Sequence, residues 1–193
     1  MKVIAFNGSP RERGNTAYLL DSVRRELEGE GIETELVQVG GAEIRGCGAC
    51  MKCSINKNGR CAVEDDANGF MEKMFAADGV ILGSPTYFSD VTAEMKALID
   101  RAGYVSRANG QLLRHKAGAA VVAMRRAGGL HAFDTLNHFF LINEMMVPGS
   151  SYWNVSLARG LGDAAKDEEG IHTMQTLGRN MAWLLKKLQT PGC

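Results

Sequence analysis

Four of the five cysteines fall in one short stretch, Cys47-x2-Cys50-x2-Cys53-x7-Cys61. Thiolates are soft ligands that suit iron–sulfur clusters and zinc. A C-x2-C-x2-C run matches the ferredoxin pattern, in which closely spaced thiolates hold the corners of a [4Fe–4S] cubane. In two-cluster ferredoxins the next cysteine serves the other cluster. Here only one compact group exists, so Cys61 is the fourth ligand if a single cluster forms. Gly46, Gly48 and Gly59 are expected to let the backbone turn around it. Two alternatives stay open. A Zn(Cys)4 site also needs four thiolates, although zinc motifs usually set two C-x2-C knuckles well apart. The loop could also hold free or partly oxidised thiols and no metal. An odd cysteine count and tight clustering argue against a disulfide framework. Cys193 has no partner at useful spacing.

A second group of residues suits anion binding. Ser9-Pro10-Arg11-Glu12-Arg13-Gly14-Asn15-Thr16 follows a short apolar run. Gly14 permits close backbone approach, while Ser9, Asn15 and Thr16 offer hydroxyl and amide donors. Arg11 offers a guanidinium, and Thr16 opens a helix whose free N–H groups favour an anion. The loop lacks both the G-x-G-x-x-G fingerprint and the Gly-Lys-Ser/Thr ending of a Walker loop. A monophosphate therefore fits better than a triphosphate. A plain strand–helix turn with a cap is the competing reading.

Two further loops look specialised. Ser84-Pro85-Thr86-Tyr87-Phe88-Ser89-Asp90 sets flat apolar rings beside hydroxyls and backbone N–H groups, which suits a planar heteroaromatic ligand. Met124-Arg125-Arg126-Ala127-Gly128-Gly129 could close over such a ring and bring positive charge, with Arg126 and Gly128 the candidate contacts. His115, His131, His138 and His172 have no ligand spacing, and no G-x-S-x-G motif occurs. Asp65-Asp66 reads as a helix cap, Asp100-Arg101 as a structural ion pair, and Trp153 and Trp183 as packing.

The elements that must position these loops alternate. Strands are expected at Lys2–Asn7, Glu33–Val39, Gly79–Ser84 and Ala117–Met124, with a weaker fifth within Met146–Trp153. Helices are expected over Thr16–Glu28, from Glu64-Asp65-Asp66 onward, and over Thr92–Gly103, Leu130–Met146 and Ile171–Leu188. Uniformly apolar strands separated by helices predict a parallel sheet covered on both faces, and right-handed crossovers restrict it to an α/β doubly wound fold. In such sheets ligands bind beyond the carboxyl ends of the strands. All three loops lie there, and so does the cysteine loop, which follows the second strand.

The 193 residues are 45% hydrophobic, enough for a single domain with a substantial core. Lys+Arg and Asp+Glu each number 22, so neither nucleic acid nor an anionic membrane is an expected partner. No apolar run approaches the roughly 20 residues of a bilayer span. The first apolar run is too short for a signal peptide, so a cytoplasmic location is expected.

Phe6-Asn7-Gly8-Ser9-Pro10-Arg11…Gly14-Asn15-Thr16, Gly83-Ser84-Pro85-Thr86-Tyr87 and Met95-Lys96-Ala97-Leu98-Ile99-Asp100-Arg101 together resemble the NADPH-dependent FMN reductase branch of the flavodoxin-like superfold. With the cysteine loop added, the chain is similar to the iron–sulfur flavoproteins of anaerobic prokaryotes. The resemblance covers about residues 1–155. It implies FMN, a flavodoxin-like five-stranded sheet of order 2-1-3-4-5, and homodimers or homotetramers. Carried over by motif, Ser9, Arg11, Gly14, Asn15 and Thr16 would hold the FMN phosphate, and Pro85, Thr86, Tyr87, Phe88 and Ser89 would line the isoalloxazine. Cys47, Cys50, Cys53 and Cys61 would hold a [4Fe–4S] cluster. No protein nucleophile or general acid is required. Three functions follow as expectations: an FMN oxidoreductase with a cluster, an NAD(P)H-dependent FMN or quinone reductase without one, or an electron carrier serving a small redox protein. Cysteines and flavin are expected to share one rim of the sheet.

Overall fold

The computed structural model describes residues 1–189, so Cys193 lies outside the described residues. Five parallel strands form one sheet of order β2-β1-β3-β4-β5. They are β1 (Lys2–Asn7), β2 (Glu33–Gln38), β3 (Gly79–Pro85), β4 (Ala117–Met124) and β5 (Val155–Leu157). Among the described residues six α-helices connect and cover them: α1 (Asn15–Gly29), α2 (Lys52–Asn56), α3 (Ala67–Ala76), α4 (Ala93–Ala108), α5 (Gly129–Ile142) and α6 (Glu168–Gln189), with a short 3-10 turn at Asp163–Lys166. This is the α/β doubly wound architecture that the alternating apolar strands predict, with the flavodoxin-like strand order that the resemblance implies.

Successive strand residues point to opposite faces, and both faces are buried. Ile4, Phe6, Val80, Leu82, Ala120 and Val122 pack with Met71, Met74, Met95, Leu98 and Phe140 from α3, α4 and α5. Val3, Ala5, Ile81, Ala119 and Val121 pack with Leu20, Val23 and Leu27 of α1 and Leu177 and Met181 of α6. No described helix is long and apolar enough to cross a membrane.

The fifth strand departs from expectation. Residue Met146 makes only an isolated parallel bridge to Ala117, and the strand forms later, where Val155–Leu157 pairs with Val122–Met124. The apolar run suggests an earlier strand, but a three-residue edge strand with buried Ser156 carries almost no periodic signal. Trp153 and Trp183 are both exposed, against the expectation that they pack inside.

At the carboxyl ends of β1, β2 and β3 the backbone is crowded. Gly8 N–H donates to Gly83 O at 2.7 Å, and Thr92 Oγ1 donates to Gly8 O at 2.8 Å. Asn7 Nδ2 donates to Gln38 Oε1, and Gln38 Nε2 donates to both Ser9 O and Gly40 O. This lattice presses Gly40 onto the Ser9 backbone, where a Cβ would stand 2.2 Å from Ser9 C. The clash is with main chain, so a methyl group there must displace the loop. Gly40→Ala is expected to destabilise the protein by about 1–3 kcal/mol, the usual cost of overpacking. The midpoint of thermal unfolding would fall; an unchanged value would show that the two loops move independently.

Candidate functional site

The sheet delivers three loops to one end. In the first, Ser9 is buried and its N–H donates to Asn7 Oδ1. Arg11 N–H donates to Ser9 Oγ at 3.2 Å, and Gly14 N–H donates to Arg11 O at 3.0 Å, curling the loop on itself. The first bond of α1 runs from Tyr18 N–H to Gly14 O. The N–H groups of Asn15, Thr16 and Ala17 consequently have no partner within the helix, and they lie at its positive end. The Asn15 side chain also makes a long-range link. Its Nδ2 donates to Gly160 O at 2.7 Å, and its Oδ1 accepts from Ala164 N–H. This stitches the segment after β5 to the mouth of the loop.

The second loop is a tight hairpin. Tyr87 and Asp90 exchange N–H···O bonds at 2.8 and 3.0 Å, leaving Phe88 and Ser89 as the two central residues at φ +48° and +66°. Two positive φ values define a type I′ turn, which favours Asn-Gly and strains Phe-Ser. Phe88 is fully exposed at the tip. Beneath it Thr86 N–H donates to Ala123 O, while Thr86 Oγ1 is buried with no hydrogen-bond partner. A buried hydroxyl without a partner at the base of an aromatic hairpin is the kind of group a polar ring edge would satisfy. The third loop closes against the hairpin through Gly128, at φ +80°, where a Cβ would stand 2.7 Å from Ser89 Oγ. Arg11, Arg13, Arg125 and Arg126 are exposed around this end, and none forms an ion pair among the described residues.

The cysteine loop does not stay on that rim. Residues 42–46 run beside Ala93, Ala97 and Asp100, and Gly59 N–H reaches Asn109 Oδ1 at 2.9 Å, so the loop descends the flank of α4. Cys47, Cys50, Cys53 and Cys61 line one cavity there, together with Arg101, Tyr104 and Val105 of α4. Arg101 lies nine residues beyond Thr92, about 13 Å along the helix. The shared rim expected from topology is thus corrected: a long polar loop can leave the strand end and dock on the neighbouring helix.

Side-chain anchors fix the loop. Asn68, buried on α3, accepts from Cys61 N–H and donates to Cys61 O and Val63 O. Asp66 accepts from Glu43 N–H. Left-handed backbone falls on Ala49, Met51 and Lys57 as well as Gly59, whereas Gly46 and Gly48 do not use it. All four cysteines are free thiols, two exposed and two half-buried. Among the described residues no three Cys, His, Asp or Glu side chains are arranged to hold one ion. All four cysteines border one small cavity, and their thiolates are soft donors of the kind that both iron–sulfur clusters and zinc take.

Arg101, expected from sequence to pair with Asp100, pairs elsewhere. Lys96 takes Asp100, one turn away. The Arg101 side chain is fully buried, and its Nη1 donates to both oxygens of Asp65 at 2.7 and 2.6 Å and to Arg45 O at 3.1 Å. Its Nη2 donates to Val63 O, and its Nε has no partner of good geometry. Burial opposes the charge, but the Asp65 carboxylate and the nearby Cys61 sulfur outweigh it and raise the guanidinium pKa. Burial likewise opposes the Asp65 carboxylate. Bonds from Arg101 and from the N–H groups of Arg45 and Ala67 outweigh that opposition and hold its pKa low. Asn7, Gln38, Asn68 and Arg101 are the residues sequence reasoning missed as organisers. The available signal was polar side chains placed where apolar periodicity called for core.

A family model described as NADPH-dependent FMN reductase matches residues 1–160. An iron–sulfur flavoprotein of Methanocaldococcus jannaschii is 36% identical over 98% of this chain and 100% of that protein. One from Archaeoglobus fulgidus is 34% identical over 94% of each. Among solved structures, RosB with bound 8-demethyl-8-formylriboflavin-5'-phosphate superposes with a TM-score of 0.79 at 21% identity. That match covers 98% of this chain and 80% of RosB, a likeness of fold.

Two outcomes test the geometry. Phe88→Asn is expected to raise the melting temperature of flavin-free protein by about 2–4 °C, reflecting roughly 1 kcal/mol of relieved turn strain. A lower melting temperature would show that the ring packs rather than strains. Asp65→Ala is expected to cost about 3–5 kcal/mol, the penalty for leaving a buried cation unpaired. Denaturant unfolding measures it, and a loss below about 1 kcal/mol would mean water reaches Arg101.

Proposed function

The chain belongs to the NADPH-dependent FMN reductase family and to the iron–sulfur flavoproteins within it, and on that premise we propose an FMN-dependent oxidoreductase whose cysteine loop carries a [4Fe–4S] cluster. The observation that carries the cluster is the single cavity lined by Cys47, Cys50, Cys53 and Cys61. The flavin supplies hydride and single-electron chemistry, and the cluster supplies one-electron steps.

The chain's own part is binding and electrostatics. The free N–H groups of Asn15, Thr16 and Ala17 face the phosphate, with the Ser9 hydroxyl and the Arg11 guanidinium beside them and Gly14 leaving room. Pro85, Thr86, Tyr87, Phe88 and Ser89 receive the ring, and Thr86 Oγ1 gains a partner. Arg126 and Gly128 close the third loop over it. The electron donor is NAD(P)H or a small redox protein, and a quinone or another small acceptor is reduced. The working form is a homodimer or homotetramer in the cytoplasm.

A second reading is a nicotinamide-dependent quinone reductase whose cysteine loop is only structural. It draws support from the family description and from the exposure of Cys47 and Cys50. Anaerobic purification followed by FMN, iron and acid-labile sulfide analysis separates the two. The proposal requires about one FMN with about four irons and four sulfides per chain, as a [4Fe–4S] cluster dictates. Flavin with neither iron nor sulfide, together with rapid NADPH–quinone turnover, would establish the second reading instead.

A further inference from the structure

Arg101 is a large charged side chain with no exposed surface, and it is not one of the cysteines. Such burial is costly unless the charge is used. Its bonding is lopsided. Nη1 and Nη2 face acceptors: the Asp65 carboxylate, Arg45 O and Val63 O. Nε, without a partner, belongs to a side chain that lines the cavity shared by the four cysteines. Asp65 itself is absent from that cavity lining. Arg101 thus shares the wall of this cavity with the cysteines, and Asp65 does not.

We propose that Arg101 is a positioning residue that sets the reduction potential of the metal cluster held by the loop. This rests on the cluster reading above. A four-thiolate iron–sulfur cluster is anionic, and it gains one further negative charge when it takes one electron. A fixed positive charge on a side chain shielded from water favours the reduced form over the oxidised one. Asp65 moderates the effect, because its carboxylate offsets part of that charge. The two residues together thus tune the cluster in opposite directions.

The test uses anaerobically purified, flavin-loaded protein titrated with dithionite and followed by electron paramagnetic resonance. Arg101→Met/Asp65→Leu replaces the ion pair by apolar groups, an exchange that buried pairs commonly tolerate. At a fixed potential its reduced-to-oxidised cluster ratio should fall about tenfold, ~59 mV for a one-electron couple. Asp65→Asn removes the counter-ion's charge while keeping one acceptor oxygen, and should move the ratio the opposite way. The potential is read on the loaded fraction alone, so lower occupancy from a loosened loop does not imitate it. Iron-containing wild type and variants that share one potential would overturn the role of Arg101 and leave the cluster reading standing. Wild type without iron would overturn both.

Discussion

A guanidinium held away from water obliges the chain around it to provide acceptors. Arg101 imposes that demand at the middle of α4, and the response organises the cysteine loop. Asp65 approaches with both oxygens, and Arg45 and Val63 turn their carbonyls inward. Asp65 in turn accepts the N–H groups of Arg45 and Ala67, so one carboxylate fastens the entry of the loop, its exit and the start of α3. Without this knot, a polar stretch running from Gly40 to Asp66 would have little apolar surface to hold it.

Helix α4 links the two specialised regions. At its amino end Thr92 donates through its hydroxyl to Gly8 O and through its N–H to Ser84 Oγ, joining the helix start to the ends of β1 and β3. Farther along, Arg101, Tyr104 and Val105 form the wall behind the cysteines. Both ends of this arrangement rest on the core, where Met95, Leu98, Ile99 and Ala102 are buried against the sheet. The register of the loops therefore follows from the packing of one helix.

Much of this was legible from residues. Uniformly apolar strands alternating with helices pointed to a parallel sheet buried on both faces, and Gly14 and the polar donors before α1 marked a specialised turn. What stayed hidden depended on long-range pairing. Nothing local tells Arg101 to choose Asp65 over adjacent Asp100, because the choice is made by burial and by which side of α4 faces the sheet. The descent of the cysteine loop is hidden for the same reason. Val155–Leu157 is illegible because an edge strand of three residues is shorter than the pattern that would reveal it.

The two regions are built on different principles. The first is made of backbone: curled N–H groups, a glycine pressed on Ser9 and a turn held in left-handed conformation, all fixed by a rigid parallel sheet. The second is made of side chains, with Asn68, Asp65, Asp66 and Asn109 holding a loop that has no strand or long helix of its own. Side-chain anchors allow a charged residue to be placed behind the cysteines without disturbing the sheet. A fold that keeps its geometry in the main chain and its charge in side chains can adjust the electrostatics of one region while leaving the shape of the other intact.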